Sequence, residues 1–159
     1  MSDEYQWRRK FIDVVEEVFR DLQFDPPPMT HDPDASLVME LDVDGTTFEV
    51  VHNPRANVTH CLIEARLGPI TSDQPDRVLT QLLVNNLELA RQYGGTFAAD
   101  IKDDTVLYSF SMPLAQSHGA AMLQALRDTA VLAGDWRMAL SGMAPEPGDT
   151  VHHISSALA

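Results

Sequence analysis

The chain has 159 residues, 44% hydrophobic and 22% charged, which fits one globular domain and is too apolar for a disordered chain. Twenty-four acids against eleven bases leave a formal net charge of −13. Such a body repels phosphate backbones and anionic lipid, so neither nucleic acid nor a membrane surface is an expected partner. One cysteine, Cys61, excludes an intramolecular disulfide and a cysteine-rich zinc site.

No apolar run approaches the ~20 residues of a membrane span. The opening residues lack the basic-then-apolar layout of a secretory signal, so a cytoplasmic location is expected.

The first predicted element is a helix over Tyr5–Leu22. Phe11, Val14, Val15, Val18, Phe19 and Leu22 fall at the spacing of one helical face. Pro26-Pro27-Pro28 is expected to end it, because proline forces the residue before it out of the helical region. The period then changes from 3.6 to 2. Leu37, Met39, Leu41 and Val43 alternate with Val38, Glu40 and Asp42, and Asp44-Gly45 signals a tight hairpin. Thr46, Phe48 and Val50 begin the return strand, which runs to about His52. Asn53–Asn57 is read as a turn. A third strand over Val58–Leu67 places Cys61, Ile63, Ala65 and Leu67 on one face, and Gly68-Pro69 is expected to break it.

Asp73 and Pro75 set up a second long helix over Val78–Tyr93, stopped by Gly94-Gly95. Its apolar content (Val78, Leu79, Leu82, Leu83, Val84, Leu87, Leu89) exceeds what one face against one sheet requires, so part of it is expected to meet another surface. A second hairpin follows, Thr96–Ile101 and Thr105–Met112. Pro113 is read as opening a last helical stretch through Met122, Leu126, Ala130 and Trp136. The domain is expected to occupy residues 1–140, with 141–159 a loose tail. The fold class is α+β, an antiparallel sheet with helices in the order α-β-β-β-α-β-β-α.

The catalytic and metal vocabularies are nearly empty. The six histidines make no i,i+4 pair on a helix and no HExxH. His60 and Cys61 are adjacent on a strand and point to opposite faces, so they form no thiolate–imidazole pair. Glu40–Gly45 imitates the start of a calcium loop, but its twelfth position is Val51 and the bidentate glutamate is missing. No cofactor, no metal and no enzymatic activity are expected.

The order of elements on a small acidic chain, together with Leu82-Leu83-Val84-Asn85-Asn86, carries a resemblance. The sequence resembles the Tir chaperone (CesT/SycE-like) family of class I type III secretion chaperones over about Phe11–Leu140. The stretches Phe97–Ile101, Val106–Phe110 and Met112-Pro113-Leu114 fit the family's strand pair and the entry to its last helix. The resemblance implies a bacterial, cytoplasmic, non-catalytic homodimer that binds the extended N-terminal segment of a secreted effector protein and keeps it soluble and export-competent. The dimer interface is expected on one face of the second long helix: Leu79, Leu82, Leu83, Asn86 and Ala90. A client groove is expected at the flank of the first helix, Ile12 and Val15. The competing reading is a small sensory or regulatory domain of similar layout acting on a transcription or signalling partner.

Overall fold

The computed structural model describes residues 3–70, 75–91 and 94–142. Helix α1 spans Asp3–Asp21. It ends before the three prolines, at Gln23, whose φ of 62° is left-handed. The Phe24 amide donates to the Phe19 carbonyl and the Gln23 amide to the Arg20 carbonyl. These are the two bonds of a Schellman cap, so α1 is stopped by its own C-terminal geometry. Pro26–Pro28 only begin the exposed connection that follows.

Strands β1 (Leu37–Val43), β2 (Thr46–His52), β3 (His60–Pro69), β4 (Thr96–Asp100) and β5 (Thr105–Pro113) form one antiparallel sheet in the order β1-β2-β3-β5-β4. The β1–β2 hairpin turns at Asp44 and Gly45, with φ of 50° and 76°. Two successive positive φ values make the primed turn that matches strand twist, and glycine enters it without steric cost. The expected turn at Asn53–Asn57 is one turn of helix, α2 (Pro54–Asn57), capped by the Asn53 side chain on the Arg55 amide. The third strand begins at His60 and runs through Gly68-Pro69 instead of breaking there. A register shift between Arg66 and Gly68 absorbs the irregularity, and Pro69 pairs with Thr105.

Alternation then sorts the residues of the sheet. Leu41, Val43, Phe48, Val50, Cys61, Ile63, Ala65 and Leu67 point into the core, where they meet Phe11, Val14 and Val18 of α1. Helix α4 (Gly119–Gly142) adds Met122, Leu126, Ala130, Ala133 and Trp136 to the same core. Pro113 closes β5 and does not open α4, which starts six residues later. There the His118 ring accepts from the Ala121 amide, and a Glu17 carboxylate oxygen on α1 accepts from the Gly119 amide at 2.6 Å. A carboxylate at a helix N-terminus satisfies an orphan donor and opposes the helix dipole. Helix α3 (Pro75–Arg91) packs along β4. The capping role expected of Asp73 and most of the tail after residue 140 lie outside the described residues.

Candidate functional site

The residues of α3 divide between two surfaces. Val78, Leu82 and Asn85 are buried against their own chain. Asn86 reaches the edge of the sheet, where its amide nitrogen donates to the Phe97 carbonyl at 2.8 Å and its oxygen accepts from the Phe97 amide at 2.6 Å. The side chain thus replaces a neighbouring strand for one residue of β4 and blocks that stretch of edge. Gly95 allows the close approach just before β4. A Cβ there would stand 2.5 Å from the Ser109 carbonyl oxygen.

The other surface of α3 is open. Leu79 is 41% and Leu83 71% exposed, and Leu87 and Ala90 are exposed beside them. Positions 79, 83, 87 and 90 make one stripe. Of the five residues expected at a dimer interface, Leu79, Leu83 and Ala90 lie on this stripe, whereas Leu82 and Asn86 serve their own sheet. The turn of α3 between these faces is about a third of its circumference, which residue spacing alone did not resolve.

The two residues expected at a client groove are not on the surface. Ile12 and Val15 are 3% and 2% exposed and belong to the core. The accessible apolar surface of the sheet lies instead on its outer face. Val38 is 51% and Leu62 40% exposed there, in one lateral row with Val51 between them. Beside this row runs a second, Glu40–Glu49–Glu64. Arg66 pairs with Glu49 at 3.1 Å and with Asp103 at 3.4 Å. Alternation already places Val38 and Leu62 outward in the sequence. Their alignment needed the strand register.

Two buried polar groups stabilise the scaffold. The fully buried Arg8 guanidinium donates to the carbonyls of Thr30 and Ala35 and so pins the proline-bearing connection onto α1. The Arg8 pKa is lowered by desolvation, partly offset by the charge of Asp32. His52 stacks on Phe11 at 5.2 Å and donates from Nε2 to the Val58 carbonyl at 2.9 Å. Desolvation lowers the His52 pKa, the Val58 hydrogen bond opposes that shift, and the Arg8 charge adds to it.

Above pH 6.5, the group's ordinary value, His52 is neutral in both folded and unfolded chains and contributes no pH dependence. As pH falls below that value the unfolded chain binds the proton first, so stability falls. Urea unfolding from pH 7 to pH 5 should therefore show a loss of stability that is smaller in His52→Gln, relative to each protein's own value at pH 7.

Cys61 is buried, donates to the Met112 carbonyl at 3.7 Å, and has its pKa pushed up by desolvation to about 12. It is a thiol at neutral pH and no nucleophile. A cleft of about 490 Å3 lies where β4 stops short of β5, lined by Gly94, Gly95, Tyr108, Phe110, Asp128 and Thr129. Among the described residues no three His, Cys, Asp or Glu side chains converge as metal ligands. His152 and His153 lie outside the described residues.

Comparison with known proteins gives the fold a context. The structure is similar to one solved as the HopA1–SchA chaperone–effector complex, with 15% identity and a TM-score of 0.60, covering 82% of this chain and 95% of that one. It is also similar to a chain of the ExsC–ExsE complex, with 14% identity and a TM-score of 0.63, covering 87% and 96%. A chain of the ExoT–SpcS complex from Pseudomonas aeruginosa shares 18% identity and a TM-score of 0.50, covering 79% and 95%. No curated protein sequence matches. Residues 14–137 match the Tir chaperone protein (CesT) family, and over that span, which holds the whole sheet, α3, most of α4 and the C-terminal part of α1, the chain belongs to this family.

Proposed function

We propose that the chain is a non-catalytic, cytoplasmic bacterial chaperone that works as a homodimer. It binds the N-terminal segment of a type III secreted effector and keeps it export-competent. Family membership supports the effector-binding part of this reading, and solved structures of similar fold are chaperone–effector complexes. The observation that carries the rest is the pairing of two open apolar surfaces, the α3 stripe and the outer sheet face, with a net charge of −13. High net charge keeps a protein soluble while apolar surface stays exposed. One surface suits a second copy of the chain and the other suits a client.

Ordering an unfolded client segment costs about 2–5 kcal/mol or more, so tight binding needs a large wrapped area. A detached N-terminal client segment of about 50 residues or longer, unstructured alone, should then bind as tightly as the intact client. The test is co-expression with the flanking reading frame, isolation of the complex, and titration calorimetry with the segment and with the remainder. Binding by the folded remainder alone would overturn the chaperone reading in favour of a regulatory domain.

A further inference from the structure

Arg8 and His52 are both fully buried, and each fastens a connection. The Arg8 guanidinium donates to the Thr30 and Ala35 carbonyls, which belong to residues 22–36 between α1 and β1. His52 Nε2 donates to the Val58 carbonyl after α2 at 2.9 Å. The two groups are also neighbours. Phe11, on the next turn of α1 from Arg8, stacks on the His52 ring, and the Arg8 charge acts on His52. Neither group is saturated, because Arg8 Nε and His52 Nδ1 are buried without a hydrogen-bond partner.

With Nε2–H committed to Val58, Nδ1 is the atom that takes the next proton. That proton would find no acceptor and would set a second buried positive charge beside Arg8. Like charges repel strongly at low dielectric, so the cheapest relief is for one cation to reach water. His52 is the last residue of β2, a strand paired on both sides, and stays where it is. Arg8 is free to leave once it gives up two carbonyls. Those carbonyls lie on the segment least able to resist. Residues 23–28 are exposed and 22–36 hold no helix or strand, with Leu22 and Met29 only partly buried against the core. A segment with so few buried contacts opens at low cost while the rest stays folded.

We propose that His52 is a proton-operated lock on the 22–36 connection. Neutral His52 lets Arg8 stay buried on the Thr30 and Ala35 carbonyls. Protonated His52 displaces Arg8, and the connection swings out while the sheet and α1 keep their fold. Other titratable groups on the surrounding elements are His31, Asp32 and Asp34 on the connection, Arg55 on α2 and His60 on β3. Among these charges Arg8 is the one that acts on His52, and Asp32 favours buried Arg8 and so opposes release. The closed state holds His52 neutral, so closure is fully favoured above pH 6.5, the ordinary histidine value, and weakens as pH falls. The limit is about 10-fold per pH unit, or about 30-fold from that value down to pH 5. The lock does not depend on the chaperone reading.

Methionine-methyl NMR of the full chain reads the lock, because Met29 lies on the connection and Met39 and Met122 lie in the core. Relaxation dispersion detects minor states that exchange in μs–ms. The released fraction at Met29 should rise about 10-fold or more between pH 7 and pH 5, with Met39 and Met122 unchanged. His52→Gln keeps an amide donor for the Val58 carbonyl and takes up no proton, so its rise should stay below about 2-fold. His31→Gln should keep the full rise. Arg8→Gln keeps the test open where His52→Gln does not fold: its Met29 should stand released already at pH 7 and respond little to acid. Circular dichroism checks the fold of each variant. A Met29 signal indifferent to pH, or one that moves together with Met39 and Met122, would overturn the proposal. So would a rise that survives in folded His52→Gln or vanishes in His31→Gln, and so would a docked Met29 in Arg8→Gln.

Discussion

Leu83→Asp is expected to turn a dimer into a folded monomer. At 71% exposure the Leu83 side chain contributes little to the packing of its own chain, so a carboxylate there stays hydrated in the isolated subunit. In a two-fold interface built on the α3 stripe the same substitution occurs twice, because the symmetry brings each copy's helix to the other. Burying an unpaired charge in such a contact costs several kcal/mol, and the dimer dissociation constant should rise on the order of 100-fold or more. Light scattering at micromolar concentration reads the mass, and circular dichroism reads the fold. Leu82→Asp is the contrasting variant, because Leu82 is 4% exposed within its own chain and its replacement should unfold the subunit. A wild-type chain that is monomeric at micromolar concentration would remove the homodimer from the reading.

Asn86→Ala should cost about 2–4 kcal/mol, since it leaves both the amide and the carbonyl of Phe97 without a partner at a half-buried edge. The loss also frees α3 from β4 and uncovers an edge strand that other chains can pair with. Urea unfolding should show the lower stability, and hydrogen exchange should show the Phe97 amide losing its protection. Asn86→Asp separates the two bonds, because it keeps an acceptor for the Phe97 amide and removes the donor to the carbonyl. Its Phe97 amide should stay more protected than in Asn86→Ala. Equal stability of Asn86→Ala and wild type would mean that the edge is held by packing alone.

The limits of sequence reading are clearest in α3. Its surplus of leucine was visible from composition, but which leucine faces the sheet was not. A helix offers residues at i, i+3, i+4 and i+7 as one broad face, and only the position of β4 splits Leu82 and Asn86 from Leu79 and Leu83. Asn86 reads as an interface polar residue until the Phe97 backbone is placed beside it. Ile12 and Val15 look like a flank on a helical wheel. They are buried in a core to which β1–β5 and α4, far away in sequence, also contribute.

What the sequence determined by itself were the elements whose signals are local. Period-2 alternation placed β1 and β2 at their observed limits, Asp44-Gly45 named the hairpin turn, and the order of the three long helices and five strands is the one expected, with only the single turn α2 added. These follow from steric preferences and side-chain period, which act within a few residues. The tertiary structure alone decided where α1 stops, because the Gln23 cap is a backbone geometry that glutamine does not advertise. It decided that Arg8, one member of a basic triplet in the sequence, is buried under the connection it holds. It also decided that three glutamates from three strands stand in one row, since lateral alignment depends on register between segments that no local pattern encodes.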